Sequence, residues 1–193
     1  MSHTEKTIDS TRIFEGKVVR LRRDTVELEN GKQTFREVID HPGGVSILAM
    51  DEEGKIFFVR QFRYPFGKML LELPAGKLEP GEDPEKAARR ELMEETGLSC
   101  KRLELLGCIF PSPGVYAEKL YLYFASGLEK GEAMPDEGEF LTAEKLSVSD
   151  FAALAAKGGI EDAKTLCAFA LGIFAAEFIR LKLKRMQWLH WRQ

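Results

Sequence analysis

The sequence predicts an α+β domain preceded by a small N-terminal β-sheet subdomain. Three observations carry this expectation. Short runs suited to strands come first, a single helical stretch interrupts them, strands return, and two helical patterns close the chain, an order unlike alternating βα units. The chain has 193 residues, 44% of them apolar, enough for a core of its own. The turn His41-Pro42-Gly43-Gly44 is the clearest break in the pattern, so the expected division is 1–42 for the N-terminal sheet and 43–193 for the main domain.

In chain order, Asn30-Gly31 between Val26–Leu28 and Phe35–Ile39 predicts a hairpin. Val45–Met50 and Lys55–Phe62, separated by Asp51-Glu52-Glu53-Gly54, predict a strand, a turn and a strand. Leu70–Leu73 should be a strand ending in a turn at Pro74-Ala75-Gly76. Asp83-Pro84 supplies an N-cap with proline at the first helical position, and Gly97 a stop, which predicts a helix between them. Strands are expected at Leu103–Ile109, Leu120–Ala125 and Phe140–Leu146, then a helix after Ser147 or Ser149 and another from about Asp162 toward Lys184.

Composition excludes several function classes. Twenty-eight Lys and Arg against 31 Asp and Glu leave a net charge of -3, which argues against a nucleic acid polymer as partner. Cys100, Cys108 and Cys167, with only three histidines, allow neither a disulfide framework nor zinc-ligand spacing; free, mostly buried thiols are expected. Met1–Thr11 has no apolar signal core, and the run Leu166–Ile179 is broken by Glu177 and shorter than the roughly 20 residues a bilayer crossing needs. A cytoplasmic protein without a membrane span is the expectation. The basic, aromatic segment Leu181–Gln193 reads as a helix end packed on the domain or a dimer.

The acids are unevenly placed. At about 100° per residue, Glu91, Glu94 and Glu95 share about one third of a helix circumference, where like charges cost roughly 0.2–0.5 kcal/mol per pair. A bound cation removes that cost, and oxygen ligands without His or Cys point to Mg²⁺ or Mn²⁺. The competing reading is a solvated helix laced with ion pairs through Lys86, Arg89 and Arg90. The unit strand, loop with Gly76 and Gly81, Glu82, carboxylate helix favours the cation.

Gly76, Glu82, Arg90-Glu91-Leu92, Glu94-Glu95 and Gly97-Leu98 fill every defined position of G-x5-E-x7-R-E-U-x-E-E-x-G-U, with U apolar. In this the sequence resembles the Nudix hydrolase family. A chance match is on the order of 10⁻⁶ at ordinary residue frequencies. The resemblance implies a Nudix fold, a mixed β-sheet sandwiched between helices. It implies Glu91 and Glu95 as metal ligands with the Ala75 carbonyl, Glu94 and Glu95 as catalytic acids, Glu82 orienting the loop or binding metal through water, and Arg90 pairing with a carboxylate of the motif. Further segments, Arg36-Glu37, Gln61-Phe62-Arg63, Leu71–Gly76 and Pro111-Ser112-Pro113-Gly114 followed by Glu118, look like the ADP-ribose pyrophosphatase branch of that family. By that likeness Arg63 and Lys77 contact substrate, Arg36 and Glu37 reach the substrate of a partner subunit, and Ser112, Pro113, Gly114 and Glu118 line the ribose side. In the acidic turn Asp136–Glu139, Glu137 is the implied general base and Glu139 an extra metal ligand. The implied reaction is ADP-ribose plus water giving AMP plus ribose 5-phosphate, in a homodimer with exchanged N-terminal strands. Phe14, Phe35 and Tyr116 are candidates to stack on adenine. The alternatives are another nucleoside diphosphate sugar such as GDP-mannose, an oxidised nucleotide, or a non-catalytic sensing module, which would carry an eroded motif.

Overall fold

The computed structural model describes residues 3–132 and 140–174. The N-terminal strands β1 (Lys6–Glu15), β2 (Arg20–Glu27) and β3 (Gln33–Asp40) form an antiparallel sheet in that order. The Asn30-Gly31 hairpin joins β2 to β3: Gly31 takes φ 76°, and the Asn30 side chain accepts from the Lys32 amide at 3.0 Å. Strand β1 has no counterpart in the sequence expectation. All ten of its residues are exposed, so no apolar alternation marks it, and pairing with β2 holds it in place.

The main domain contains two further sheets. One has the order β7-β4-β9-β8, from β4 (Gly44–Ala49), β7 (Ala75–Lys77), β8 (Leu98–Ile109) and β9 (Leu120–Lys130). It is mixed: β4 runs parallel to β9, and its other pairs are antiparallel. The other, of order β10-β5-β6, joins β5 (Lys55–Arg63), β6 (Lys68–Glu72) and β10 (Leu141–Ser147). Helix α1 is Pro84–Thr96, α2 is Val148–Ala156, and α3 is helical over 163–174.

Alternation along β4 organises the core. Val45, Ile47 and Ala49 face α1 and pack with Ala87, Ala88 and Leu92. Leu48, one step out of phase, joins Leu122 and Phe58 with Phe151 of α2 and Ala168 of α3. The mixed sheet thus lies between α1 and the two later helices, as expected. Full burial of Leu92 alone is worth about 1.5–3 kcal/mol, and the two alanines let α1 lie close on the sheet.

Three details differ from expectation. Ala75–Lys77 is a short strand on β4 rather than a turn, because Gly44, Val45 and Ser46 pair with Lys77, Gly76 and Ala75. Strands β8 and β9 extend past their apolar segments into polar ends that pair at Leu98–Lys130, Ser99–Glu129 and Cys100–Leu128. The thiols are not mostly buried: Cys108 is exposed and Cys100 and Cys167 are half-buried. Cys100 and Cys108 lie on β8, the outer strand of its sheet, where one side is uncovered. Among the described residues no helix is long and apolar enough to cross a membrane.

Candidate active site

Helix α1 begins where the Asp83 side chain accepts from the Glu85 and Lys86 amides at 3.0 and 3.2 Å. It ends where Gly97, at φ 68°, turns the chain into β8. Its placement against β7 brings the acids to the backbone of that strand. The amide of Ala75 donates to Glu95 Oε2 at 2.9 Å, and Glu95 is only 4% exposed. Glu91 lies over Gly76 so closely that a Cβ on residue 76 would stand 1.9 Å from the carboxylate carbon. Glycine is thus required for close approach, not for a special φ.

Arg90 gathers the remaining acids. Its Nε and Nη2 donate to the two oxygens of Glu82 at 3.0 Å each, and Nη1 donates to Glu91 and Glu94 at 2.8 Å each. Nη2 also reaches the Lys77 carbonyl at 3.2 Å. The hydrogen bond with Glu82, and then the charge of Glu91 and the hydrogen bonds with Glu91 and Glu94, raise Arg90 above its ordinary pKa against the pull of burial, while Arg90 holds the Glu82 carboxyl below its own. Ion-pair lacing and clustering of acids therefore coexist on one helix. Arg90 offsets part of the repulsion and fixes the carboxylates.

A cavity of about 570 Å³ opens over this unit. Ala75, Gly76, Glu91 and Glu95 line it, with the cations Lys77, Arg63 and Lys164. Of the expected site residues Glu118 is also there, joined by His41, Tyr116 and Pro111. Glu94 is tied to Arg90 and does not line it. Ser112, Pro113 and Gly114 are exposed beside it; the Ser112 carbonyl accepts from the backbone amide of Tyr116 at 2.9 Å, which fixes the turn that carries that ring. Arg36 and Glu37 are exposed on β3 outside this cavity, and Arg36 pairs with Glu5 at 2.5 and 3.0 Å. Asp136, Glu137 and Glu139 lie outside the described residues.

Two clusters were not legible as parts of the site. Glu72 is 1% exposed and receives Arg63 Nε and Nη2 at 2.6 and 2.7 Å, together with Lys164. Burial pushes its carboxyl up, but Arg63 and Lys164 together outweigh burial and hold it below the ordinary value. Lys164 also donates to Asp162 at 2.9 Å, and Asp162 caps α3 through the amide and hydroxyl of Thr165. In the second cluster His41 Nδ1 accepts from the Gly43 amide at 3.2 Å, stands 3.6 Å from Glu118, and its ring contacts Tyr116 at 5.1 Å. Burial lowers its pKa despite Glu118, and since Nδ1 accepts from the Gly43 amide, the proton of the neutral ring sits on Nε2.

Among the described residues no three His, Cys, Asp or Glu side chains are gathered closely enough to hold an ion by themselves. The donors lining the cavity beside α1 are the carboxylates of Glu91 and Glu95 and the backbone of Ala75. This all-oxygen set suits a hard divalent cation and not zinc.

Residues 40–169 match the family model described as NUDIX domain, and residues 5–39 match that described as nucleoside diphosphate sugar hydrolase N-terminal domain. The chain is 45% identical over 166 residues to a protein named methanol dehydrogenase activator from Bacillus methanolicus, covering 85% of this chain and 90% of that one. It is 42% identical over 182 residues to an ADP-ribose pyrophosphatase of Bacillus subtilis (strain 168), covering 92% and 94%. In fold it resembles the crystal structure of an ADP compounds hydrolase with a TM-score of 0.80 at 18% identity, over 94% of this chain and 98% of that one.

Proposed function

The chain belongs to the NUDIX domain family, and from that premise we propose that it hydrolyses the pyrophosphate bond of ADP-ribose to AMP and ribose 5-phosphate. The observation that carries this reading is the meeting, in one cavity, of Glu91 and Glu95 on the β7 backbone with the cations Lys77, Arg63 and Lys164. Such a cavity accommodates a doubly charged pyrophosphate. The 42% identity to an ADP-ribose pyrophosphatase over nearly the whole chain favours ADP-ribose over GDP-mannose or an oxidised nucleotide. The intact motif argues against a non-catalytic sensor.

Water attack on a pyrophosphate is opposed by the charge already on it. Mg²⁺ or Mn²⁺, held by Glu91, Glu95, the Ala75 carbonyl and Glu139, would neutralise that charge and make bound water more acidic. Arg63 and Lys77 bind and orient the phosphates. Arg90 keeps Glu91, Glu94 and Glu82 in fixed positions, and Glu94, which stands off the cavity wall on Arg90, would have to leave that contact to hold the attacking water. Glu137 receives the water's proton on a carboxylate oxygen as general base. Glu118 and the Ser112–Gly114 turn border the ribose, with Tyr116 held between His41 and the Ser112 carbonyl.

In this reading the unit 1–42 is exchanged between two copies of a cytoplasmic homodimer. Arg36 then leaves Glu5 and, with Glu37, reaches the substrate of the partner subunit, and the exposed Phe14 and Phe35 become available to adenine. The test is a panel of ADP-ribose, GDP-mannose, diadenosine polyphosphates and 8-oxo-dGTP with Mg²⁺ and product identification. ADP-ribose should be turned over best, giving AMP and ribose 5-phosphate; ADP-ribose among the poorest substrates overturns the assignment, and no turnover of any overturns the reading as an enzyme.

A further inference from the structure

The polar group beneath Arg63 does more than satisfy a buried acid. Glu72 sits on β6, Arg63 at the end of β5 and Lys164 in the first turn of α3. The two cations share the Oε2 oxygen of Glu72 and so stand side by side. Arg63 already meets Glu72 bidentately, so a lysine serving only to neutralise that acid is redundant. Placing it there brings two like charges together, which Glu72 and Asp162 between them balance. Asp162 meets Lys164 with one oxygen and spends the other on the cap of α3, so neither acid has an oxygen left for the remaining donors of the two cations.

Donor directions agree. Arg63 uses Nε and Nη2 on Glu72, which leaves the Nη1 end of the guanidinium fork for the cavity it lines. Lys164 uses two of its three ammonium hydrogens on Glu72 and Asp162; the third is left for the same cavity, where Lys164 is 16% exposed. A tetrahedral phosphate has oxygens enough to accept from both.

We propose that Lys164 is a further substrate-binding residue, held beside Arg63 by the positioning residue Glu72 so that the two cations together grip one phosphate group of the nucleoside diphosphate sugar. The inference rests on the reading of this cavity as the pyrophosphatase site. Glu72 gives the pair its spacing, Asp162 fixes the lysine to α3, and the phosphate accepts the donor hydrogens that the two acids leave unspent.

The test is steady-state kinetics of the full-length protein with ADP-ribose and Mg²⁺ for wild type, Lys164→Gln and Lys164→Arg, with inorganic phosphate as competing inhibitor. Losing one charge-assisted hydrogen bond should raise KM and the phosphate inhibition constant by about tenfold or more, with the loss carried mainly by KM, and Lys164→Arg should recover most of it. A purely structural lysine would leave both constants within twofold of wild type while the melting temperature fell, and that result overturns the proposal. Should Lys164→Gln not fold, phosphate titrated into ¹⁵N-lysine-labelled wild type decides: the Lys164 ammonium signal should shift on saturation, and an unmoved signal overturns the proposal. A wild-type protein that does not hydrolyse ADP-ribose overturns the functional reading instead, and the phosphate titration of the ¹⁵N-lysine signal then decides for Lys164.

Discussion

Gly76→Ala separates the geometry of the acids from the stability of the fold. A Cβ built on residue 76 stands 1.9 Å from the Glu91 carboxyl carbon, 1.9 Å from Oε1 and 2.3 Å from Oε2. Carbon atoms in contact prefer about 3.5–4.0 Å, so the carboxylate must withdraw by roughly 1.5 Å. The obstacle is the far end of a side chain with three rotatable bonds, and Gly76 has an ordinary φ, so withdrawal costs the fold little. The pairing of Glu91 with Arg90 is lost, a partly exposed contact worth about 1 kcal/mol at most, or roughly 2–4 °C in melting temperature for a chain of this size. A misplacement of about 1 Å in a reacting site costs on the order of 100-fold in rate. Mg²⁺-dependent turnover of ADP-ribose by Gly76→Ala should therefore fall about 100-fold, with a melting temperature within about 4 °C of wild type. A kcat within threefold of wild type refutes the reasoning from Glu91, and a collapse in melting temperature refutes the claim that the two effects separate.

Glu95→Gln keeps an oxygen to accept the Ala75 amide but loses its charge; metal-dependent turnover should be abolished with the fold intact, and near-wild-type kcat would show that Glu95 is not needed as an anion. Ser46 is fully buried, and among the described residues its hydroxyl has no hydrogen-bond partner; Ser46→Ala should leave the melting temperature unchanged or raise it by a few degrees, and a drop would reveal a partner. The Arg22 hydrogen bond, with help from Arg12, holds the Asp40 carboxyl below the ordinary value. A carboxylate with a depressed folded pKa gives stability that is present above its unfolded value, near about 4, and is lost as pH falls through the folded one. Melting curves between neutral and strongly acid pH should then show a shallower acid loss for Asp40→Asn than for wild type, and identical slopes would remove Asp40 from the account.

Helix α1 could be read residue by residue because both of its ends are written locally, Asp83-Pro84 at one and Gly97 at the other, and the acid spacing depends on helical period alone. The β4 and β5 strands were equally plain, since their apolar runs are bounded by Gly44 and the Asp51–Gly54 turn. Strand β1 was silent because a strand exposed along its whole length needs no apolar pattern. Lys164 was silent for another reason: its partner Glu72 is 92 residues away, and only the stacking of α3 beside the β5-β6 hairpin makes them neighbours. His41 was visible merely as part of a turn, although that turn places an almost completely buried imidazole against Glu118 and Tyr116.

The N-terminal sheet joins the rest of the chain near residue 40, yet the backbone does not respect that join. Ile39 donates its amide to the Val115 carbonyl at 2.8 Å and accepts from the Ala117 amide at 2.9 Å. The end of strand β3 thereby holds the strip of chain that carries Tyr116 and Glu118. Cutting the gene at the join would yield a fragment whose Tyr116–Glu118 strip had lost its tether. The N-terminal sheet therefore helps to shape the cavity without lining it: altering the end of β3 moves Tyr116 and Glu118 as well.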